Sequence, residues 1–420
     1  MPYRYEIGIL LSLLFLLGLS NPVASGDAVE GHSGVRQVDG ESDGATTAPP
    51  LRPSLRDWSR PLLFETRLPF GPTGFRQDIP PIRYNRVEGV VLGVGVSGIE
   101  ADDWQPIKPV GQIGYAFALK EVRFDAGLEA RPFARNPTLT GMVVGARYRR
   151  NTATEDEWKA PWIENTLASL LFRNDFFDYY QVEGWSAYVR QPLGRRLQVS
   201  AGFVAEEHDQ LDVNTTWSLF GGGAQRPGLA IEEGNVRALR LTADAGRVRE
   251  LYEHPSGMSF RTEVEWAPEG LGGDLDYNRI LADARFYRQL TRTTHVAIRV
   301  RGGLASDDAP VQKLFSMGGI GTIRGYPMNA RRGHRMVLGN VEYGFAEFDF
   351  GIPGIQLFAF ADGGYVDPGP RSVGVEDVLF SGGSGVSLAG RKLRIELAVP
   401  LRDVGFGHDP AVWFRLYPAF

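Results

Sequence analysis

The sequence predicts an all-β protein, a transmembrane antiparallel outer-membrane β-barrel, and three observations lead there. Apolar and polar residues alternate with a period of two from about Ile82 to Phe420, an export-type leader opens the chain, and the last strand ends on an aromatic residue. Side chains of a strand point to opposite faces in turn, so each alternating segment has one apolar and one polar face.

The leader comes first. Arg4 precedes an apolar run from Ile7 to Leu19, followed by Asn21, Pro22 and the small residues Val23-Ala24-Ser25-Gly26. That run is short for a spanning helix, which needs about 20 residues, and it has the layout of a secretory signal over residues 1–25. Residues 26–61 are rich in Gly, Ser, Asp, Thr and Pro without a hydrophobic period and read as a disordered linker. Residues 62–81 mix apolar residues with Pro69, Pro72, Pro80 and Pro81 and read as a connecting or plug segment. The barrel is expected over residues 82–420.

The alternation is clean where it matters. Val122, Phe124, Ala126, Leu128 and Ala130 alternate with Glu121, Arg123, Asp125, Gly127, Glu129 and Arg131; Leu393, Ile395, Leu397 and Val399 alternate with Lys392, Arg394 and Glu396. A soluble sandwich alternates too, but its apolar core is built from large residues of two sheets. Here many apolar positions are Ala or Val, the polar face mixes Arg with Glu and Asp, and the segments reach the ten or so residues that cross a bilayer at a tilt. Val412, Phe414 and Leu416 alternate with Trp413 and Arg415, and the chain stops at Phe420, a terminal strand similar to the assembly signal of bacterial outer-membrane barrels.

Fifteen strands are predicted, near 83–97, 109–119, 121–131, 140–150, 178–191, 195–206, 234–247, 258–268, 278–290, 294–304, 336–349, 355–365, 380–389, 391–401 and 411–419. Bacterial single-chain barrels use even numbers, so one strand is to be sought, first in 151–177 and 207–233. Leu119-Lys120-Glu121 and Ala389-Gly390-Arg391 read as periplasmic turns; 151–177, 207–233 and 305–335 read as surface loops or lumen inserts.

Composition excludes other classes. A net charge of −5 argues against nucleic acid as a partner. The absence of cysteine excludes disulfides, thiolate zinc sites, a cysteine nucleophile and a lipoprotein anchor. Only five of the 45 basic residues are Lys, which leaves 40 Arg, the residue of fixed, bidentate carboxylate pairing. Gly93-Val94-Gly95-Val96-Ser97-Gly98 has the spacing of a dinucleotide loop but lies within a strand pattern with no helix after it. Six scattered His residues have no metal spacing, and Ser384 in Gly382-Gly383-Ser384-Gly385-Val386 lacks the closing glycine of a nucleophile elbow. No enzyme, cofactor or metal is expected. Glu155-Asp156-Glu157 and Asp307-Asp308 read as solvated loop charge, and Tyr179, Tyr180, Trp185, Trp266 and Trp413 as interface-girdle aromatics.

Between the strands at 294–304 and 336–349 lies Leu314-Phe315-Ser316-Met317-Gly318-Gly319-Ile320-Gly321-Thr322-Ile323-Arg324-Gly325-Tyr326. It resembles the lumen-loop signature of the bacterial surface antigen family, the outer-membrane assembly and two-partner secretion barrels of the BamA and TamA type. Gly339-Asn340-Val341-Glu342 and Phe360-Ala361-Asp362-Gly363-Gly364 resemble two further strand motifs of that family, and Ile82 to Gly89 resembles its first-strand entry. The resemblance implies sixteen strands, eleven of them before the Arg-Gly-Tyr loop. It implies assembly, insertion or translocation of protein or lipid at the outer membrane. Expected partners are outer-membrane lipid and lipopolysaccharide, unfolded outer-membrane or secreted polypeptide, and a periplasmic protein. The segment between leader and barrel carries no pattern of a POTRA module, the periplasmic unit of the family's assembly and secretion members. A passive small-solute pore with an Arg-rich lumen is the other reading.

The residues themselves make a more local prediction. Val337, Val341, Tyr343 and Phe345 share one parity, which leaves Asn340 and Glu342 inside; Ile355, Leu357, Ala359 and Ala361 share another, which leaves Gln356, Phe358, Phe360 and Asp362 inside. An arginine carried inward on a Gly-rich loop meets both carboxylates with a planar fork of donors. Arg324 is therefore expected to pin the loop against Asp362, with Glu342 as second partner.

Overall fold

The structure, a computed structural model, describes residues 80–416 apart from 100–104, 134–140, 195, 222–225, 252–253, 349–354, 368–376, 389–392 and 404. The expected signal peptide, the linker, most of the connecting segment and Phe420 lie outside the described residues.

Strand follows strand in one antiparallel sheet of sixteen: β1 (Arg83–Asn85), β2 (Gly89–Val96), β3 (Ile107–Ala116), β4 (Glu121–Ala130), β5 (Val143–Ala153), β6 (Tyr180–Leu193), β7 (Leu197–Asp209), β8 (Gly234–Leu251), β9 (His254–Ala267), β10 (Tyr277–Gln289) and β11 (His295–Ala305), then β14 (Arg335–Phe348), β15 (Ile355–Val366), β16 (Leu379–Leu388), β17 (Leu393–Pro400) and β18 (Ala411–Arg415). Between β11 and β14 a small hairpin, β12 (Phe315–Met317) and β13 (Arg331–Gly333), forms the stem of the connecting loop. Among the described residues β1 pairs only with β2 and β18 only with β17, so the two edges are not joined strand to strand.

Burial along the strands inverts the rule for water-soluble proteins. On β4, Leu128 is 60% exposed while its neighbour Glu129 is 0% exposed. On β17, Ile395, Leu397 and Val399 face outward while Arg394 and Glu396 are buried. Exposing a belt of large apolar side chains costs about 25 cal/mol per Å² in water and nothing comparable in lipid, so this sheet is built for a bilayer. Inside, the charges meet one another: Asp283 on β10 takes Arg285 at 3.0 Å, Arg301 at 2.8 Å and the buried Arg299.

The sixteenth strand is β1, not an element of 151–177 or 207–233. The stretch expected as one strand at 83–97 breaks at Arg86–Glu88, because the Asn85 side-chain oxygen accepts from the main-chain N–H groups of Val87 (3.0 Å) and Glu88 (2.8 Å) and Gly89 takes a left-handed φ of 66°. This is an Asx turn, which an alternation count passes over. Eleven strands thus precede the Arg-Gly-Tyr loop and five follow it. Connections of a meander alternate between its two ends. The turn at Leu119-Lys120 follows the third strand and the one at 389–392 follows the fourteenth, so they lie at opposite ends and cannot both be periplasmic. Leu119-Lys120 shares its end with the long inserts 154–179, 210–233 and 306–334.

The first insert holds a helix that the sequence reading did not anticipate, α1 (Trp162–Phe172). It begins after the extended Pro161, carries Glu164 in its first turn, and stops where Arg173 turns left-handed (φ 62°), its N–H closing on the Ser169 carbonyl at 3.1 Å. Its buried side chains are Trp162, Glu164, Asn165 and Ser169, mostly polar, so no apolar stripe of period 3.6 marks it. Two more expectations change. Trp185 and Trp266 are half exposed on the outer face as girdle residues would be, but Tyr179 and Tyr180 are buried and Trp413 turns inward. Asp156 is buried against Lys159 at 2.7 Å rather than solvated.

Candidate functional site

The insert 306–334 folds back into the sheet's interior. Its tip is a set of nested turns: Thr322 N–H donates to the Gly319 carbonyl (3.2 Å), Tyr326 N–H to that of Ile323 (3.2 Å), and Gly318 N–H to the Thr322 hydroxyl (2.9 Å). Gly318, Gly319 and Gly321 all take positive φ there, which residues with a Cβ rarely adopt. Ile320, Ile323 and Tyr326 are buried, and the Tyr326 hydroxyl donates to the Arg402 carbonyl at 2.7 Å. Gly325 passes so close to β16 and β17 that a Cβ on it would lie 2.7 Å from Pro400 N and 2.8 Å from the Ser381 Cβ.

These contacts deliver Arg324, 1% exposed, onto the inner faces of β15 and β17. Its Nε and Nη2 donate to the two oxygens of Asp362 at 2.9 and 2.8 Å, its own main-chain N–H adds a third bond at 3.2 Å, and Nη1 donates to Glu396 at 3.2 Å. The guanidinium lies 3.4 Å above the centre of the Phe360 ring. Asp362 is filled by Asn340 Nδ2 (2.9 Å) and the Ser381 hydroxyl (3.2 Å), and the same Asn340 amide holds the Thr322 carbonyl at 2.7 Å. Burial works against the Arg324 charge, but the Asp362 and Glu396 carboxylates outweigh it and hold the guanidinium above its ordinary range.

The structure therefore brings Arg324 and Asp362 together in a bidentate pair and sets Glu342 further off, 3.8 Å from Nη1. Glu342 is instead taken by Arg394 at 2.6 Å. The nearer second carboxylate is Glu396, which the sequence reading placed on an inward face without connecting it to the loop. Phe360 and Asn340 sit in the site, and Gly364 packs under the loop, where a Cβ would lie 2.7 Å from the Met317 sulfur. Gly339 faces Gly363 across the strand pair, away from the arginine. Phe414 is exposed on the outer face of β18 and Leu416 is half-buried at its end.

A second centre joins the inserts to one another. Asp178 accepts from Arg226 (2.6 Å), Arg332 (2.6 Å), Asn329 (2.7 Å) and Arg86 (3.3 Å), so three inserts and the β1–β2 turn share one carboxylate. Lys159, fully buried, reaches Ser316 at 2.6 Å and Asn329 at 2.5 Å. Both centres reach the last strand: Trp413 Nε1 donates to the Arg324 carbonyl at 2.8 Å, and Arg415 Nη2 donates to the Lys159 carbonyl at 3.5 Å.

An apolar outer belt, a charged interior and an arginine-bearing loop folded inward define an outer-membrane sheet of the barrel type, closed from within by its own inserts. Residues 144–407 match the Omp85 superfamily domain, and the chain belongs to that superfamily of bacterial outer-membrane proteins. It is 28% identical over 208 residues to the outer membrane protein assembly factor BamA of Nitratidesulfovibrio vulgaris; the match covers 44% of this chain and about a quarter (26%) of that protein. Among solved structures it resembles BamA of Haemophilus ducreyi lacking POTRA domains 1–3, with a TM-score of 0.51 at 12% identity over 80% of this chain and 69% of that one. CdiB from Acinetobacter baumannii aligns with a TM-score of 0.45 at 12% identity over 77% of this chain and 55% of that one.

Proposed function

We propose that this protein assembles or translocates polypeptide at the outer membrane, acting at the seam between its first and last strands, and that its clients are unfolded outer-membrane or secreted chains. The observation that carries this reading is the position of the Arg324 loop: it is locked to the sheet by Asp362 and Glu396, and it touches the last strand, β18, directly through Trp413. A loop built only to narrow a pore needs no bond to the edge. An antiparallel sheet edge is a template for an added strand, and a loop bonded to the last strand is placed to govern it. The similarity to an assembly factor over 208 residues supports the reading, as does the superfamily match over 144–407. Lipid and lipopolysaccharide bathe the outer belt, and a periplasmic protein presents the client.

The test is a deletion strain analysed by quantitative outer-membrane proteomics and complemented with wild type or Arg324→Ala. The expected result is the loss of a defined set of outer-membrane or surface proteins, restored by wild type alone. An unchanged membrane with reduced uptake of small solutes would replace this reading with that of a passive pore.

A further inference from the structure

α1 lies between the two unjoined edges of the sheet and bonds to the main chain of both. On the β1 side, the Tyr84 N–H donates to the Thr166 hydroxyl at 3.4 Å. Tyr84 sits opposite Val90 of β2, and in an antiparallel pair a residue that does not give its N–H to the partner strand points it at the other side. On the β18 side, Glu164 accepts the Leu416 N–H at 3.1 Å with one oxygen and Arg415 Nε at 2.7 Å with the other. Glu164 and Arg415 are both about 2% exposed.

Glu164 and Thr166 are two residues apart, which on an α-helix places them roughly 200° apart around the axis. One helix set between two strands meets one with each flank in that way. Trp162 holds it in place among Phe177, Tyr179 and Val87, and the Arg83 guanidinium stands 5.9 Å from the Trp162 ring. Burying Glu164, Asn165 and Ser169 costs stability unless each polar group is used, and each is: Glu164 serves β18, Asn165 donates to the Tyr179 hydroxyl at 2.8 Å, and the Ser169 hydroxyl donates to the Asn174 carbonyl at 3.4 Å.

We propose that α1 is an internal strut that occupies, at Tyr84 and at Leu416, the main-chain donors an added strand would take, and so blocks strand addition at the seam until it withdraws. The inference rests on the reading of the seam as the working part of the protein. It adds the element that keeps the seam shut, and it assigns Glu164 and Thr166 to that task.

The experiment uses the full chain in nanodiscs of outer-membrane lipid, with heat-modifiable migration on gels as the check of folding. Glu164→Ala/Thr166→Val removes both acceptors, Thr166→Val removes one gently, and Glu164→Arg/Arg415→Glu keeps an ion pair but leaves the Leu416 N–H without its acceptor. The readouts are hydrogen exchange of segments 82–86 and 411–416, and photo-crosslinking of a synthetic peptide of residues 411–420 to residues 80–91. The double variant is expected to raise exchange at both edges about tenfold, and crosslinking likewise. Thr166→Val should raise exchange at 82–86 alone, and the swapped pair at 411–416 alone. Edge exchange that stays at the wild-type level, exchange that rises equally in every strand in all three variants, or faster exchange without more crosslinking would each overturn the proposal. The assembly reading is scored separately by the deletion proteome, so either can fail without the other.

Discussion

Arg324 and Asp362 form a two-point pair across 38 residues of sequence, at 2.9 and 2.8 Å, and the same arginine continues to Glu396 on β17. One side chain from a loop thereby ties together two strands that are not neighbours, because β16 lies between them. A planar guanidinium with five donors can do this, whereas a lysine ammonium presents a single point of charge.

Arg324→Ala leaves the buried Asp362 without its cation and Glu396 with Arg394 alone, at 3.0 Å; removing one partner of a buried pair costs about 3–5 kcal/mol. The loop 306–334 should become open to protease, and the midpoint of heat-modifiable migration should fall. Arg324→Lys should recover only a minor part of either loss. Wild-type resistance in the alanine variant would show that the pair does not hold the loop.

The three carboxylates should rank by their contacts. Asp362→Asn removes half of the bidentate pair and the acceptor of either Asn340 or Ser381, which bond different oxygens, Glu396→Gln weakens one bond at 3.2 Å, and Glu342→Gln leaves Arg324 almost untouched. Limited proteolysis of the loop is expected to accelerate in that order. Glu342→Gln should instead affect Arg394, its partner at 2.6 Å.

Gly325→Ala introduces a Cβ against Pro400 and Ser381. The strands are fixed by their ladders, so the loop must move, at about 1–3 kcal/mol for overpacking. The expected effect is an Arg324-like loss of protection without a change in charge, measured by the same proteolysis.

Stability should depend on pH through 155–157, where three adjacent carboxyls are driven apart. Burial pushes Glu155 up, but Lys313 and Arg279 bring it down to about 2; burial pushes Asp156 up, but Lys159 brings it down to about 2. Their contribution is complete above the ordinary values of 4.5 and 3.8 and is lost as pH falls toward 2. For Glu157 burial is the largest influence and outweighs the Trp162 hydrogen bond and the charges of Arg149 and Arg261, so it rises to about 7. The folded state then binds the extra proton, so stability declines from about pH 4.5 to about pH 7. Glu157→Gln should flatten that decline and leave the acid limb in place. Lys159→Met should move the acid limb to higher pH. Heat-modifiable migration measured from pH 2 to 9 checks both.

Most of the sheet was legible because period two over ten residues fixes the face of every side chain at once, and the inward parity of Asp362 and Glu342 followed from it; the inward place of Arg324 rested on its Gly-rich loop and the motif's resemblance. What escaped was whatever alternation does not encode. The three-residue β1 was hidden by an Asx turn at Asn85 that does not interrupt the apolar count. α1 was hidden because its buried face is polar, and its use became visible only once Arg415 and Tyr84 were placed beside it. Glu396 could be given a face but not a partner, since pairing across one intervening strand depends on how the sheet curls. Asp178, at the start of an expected strand, and Lys159, within an expected insert, belong to no motif, and only the meeting of three inserts shows why each is buried.

The most direct measurement is the folding of a urea-unfolded outer-membrane barrel into lipid vesicles that contain this protein, compared with empty vesicles and with vesicles containing Arg324→Ala. Insertion is expected to be faster with the wild-type protein and to return to the empty-vesicle rate with the variant. Equal rates in all three would contradict the assembly reading.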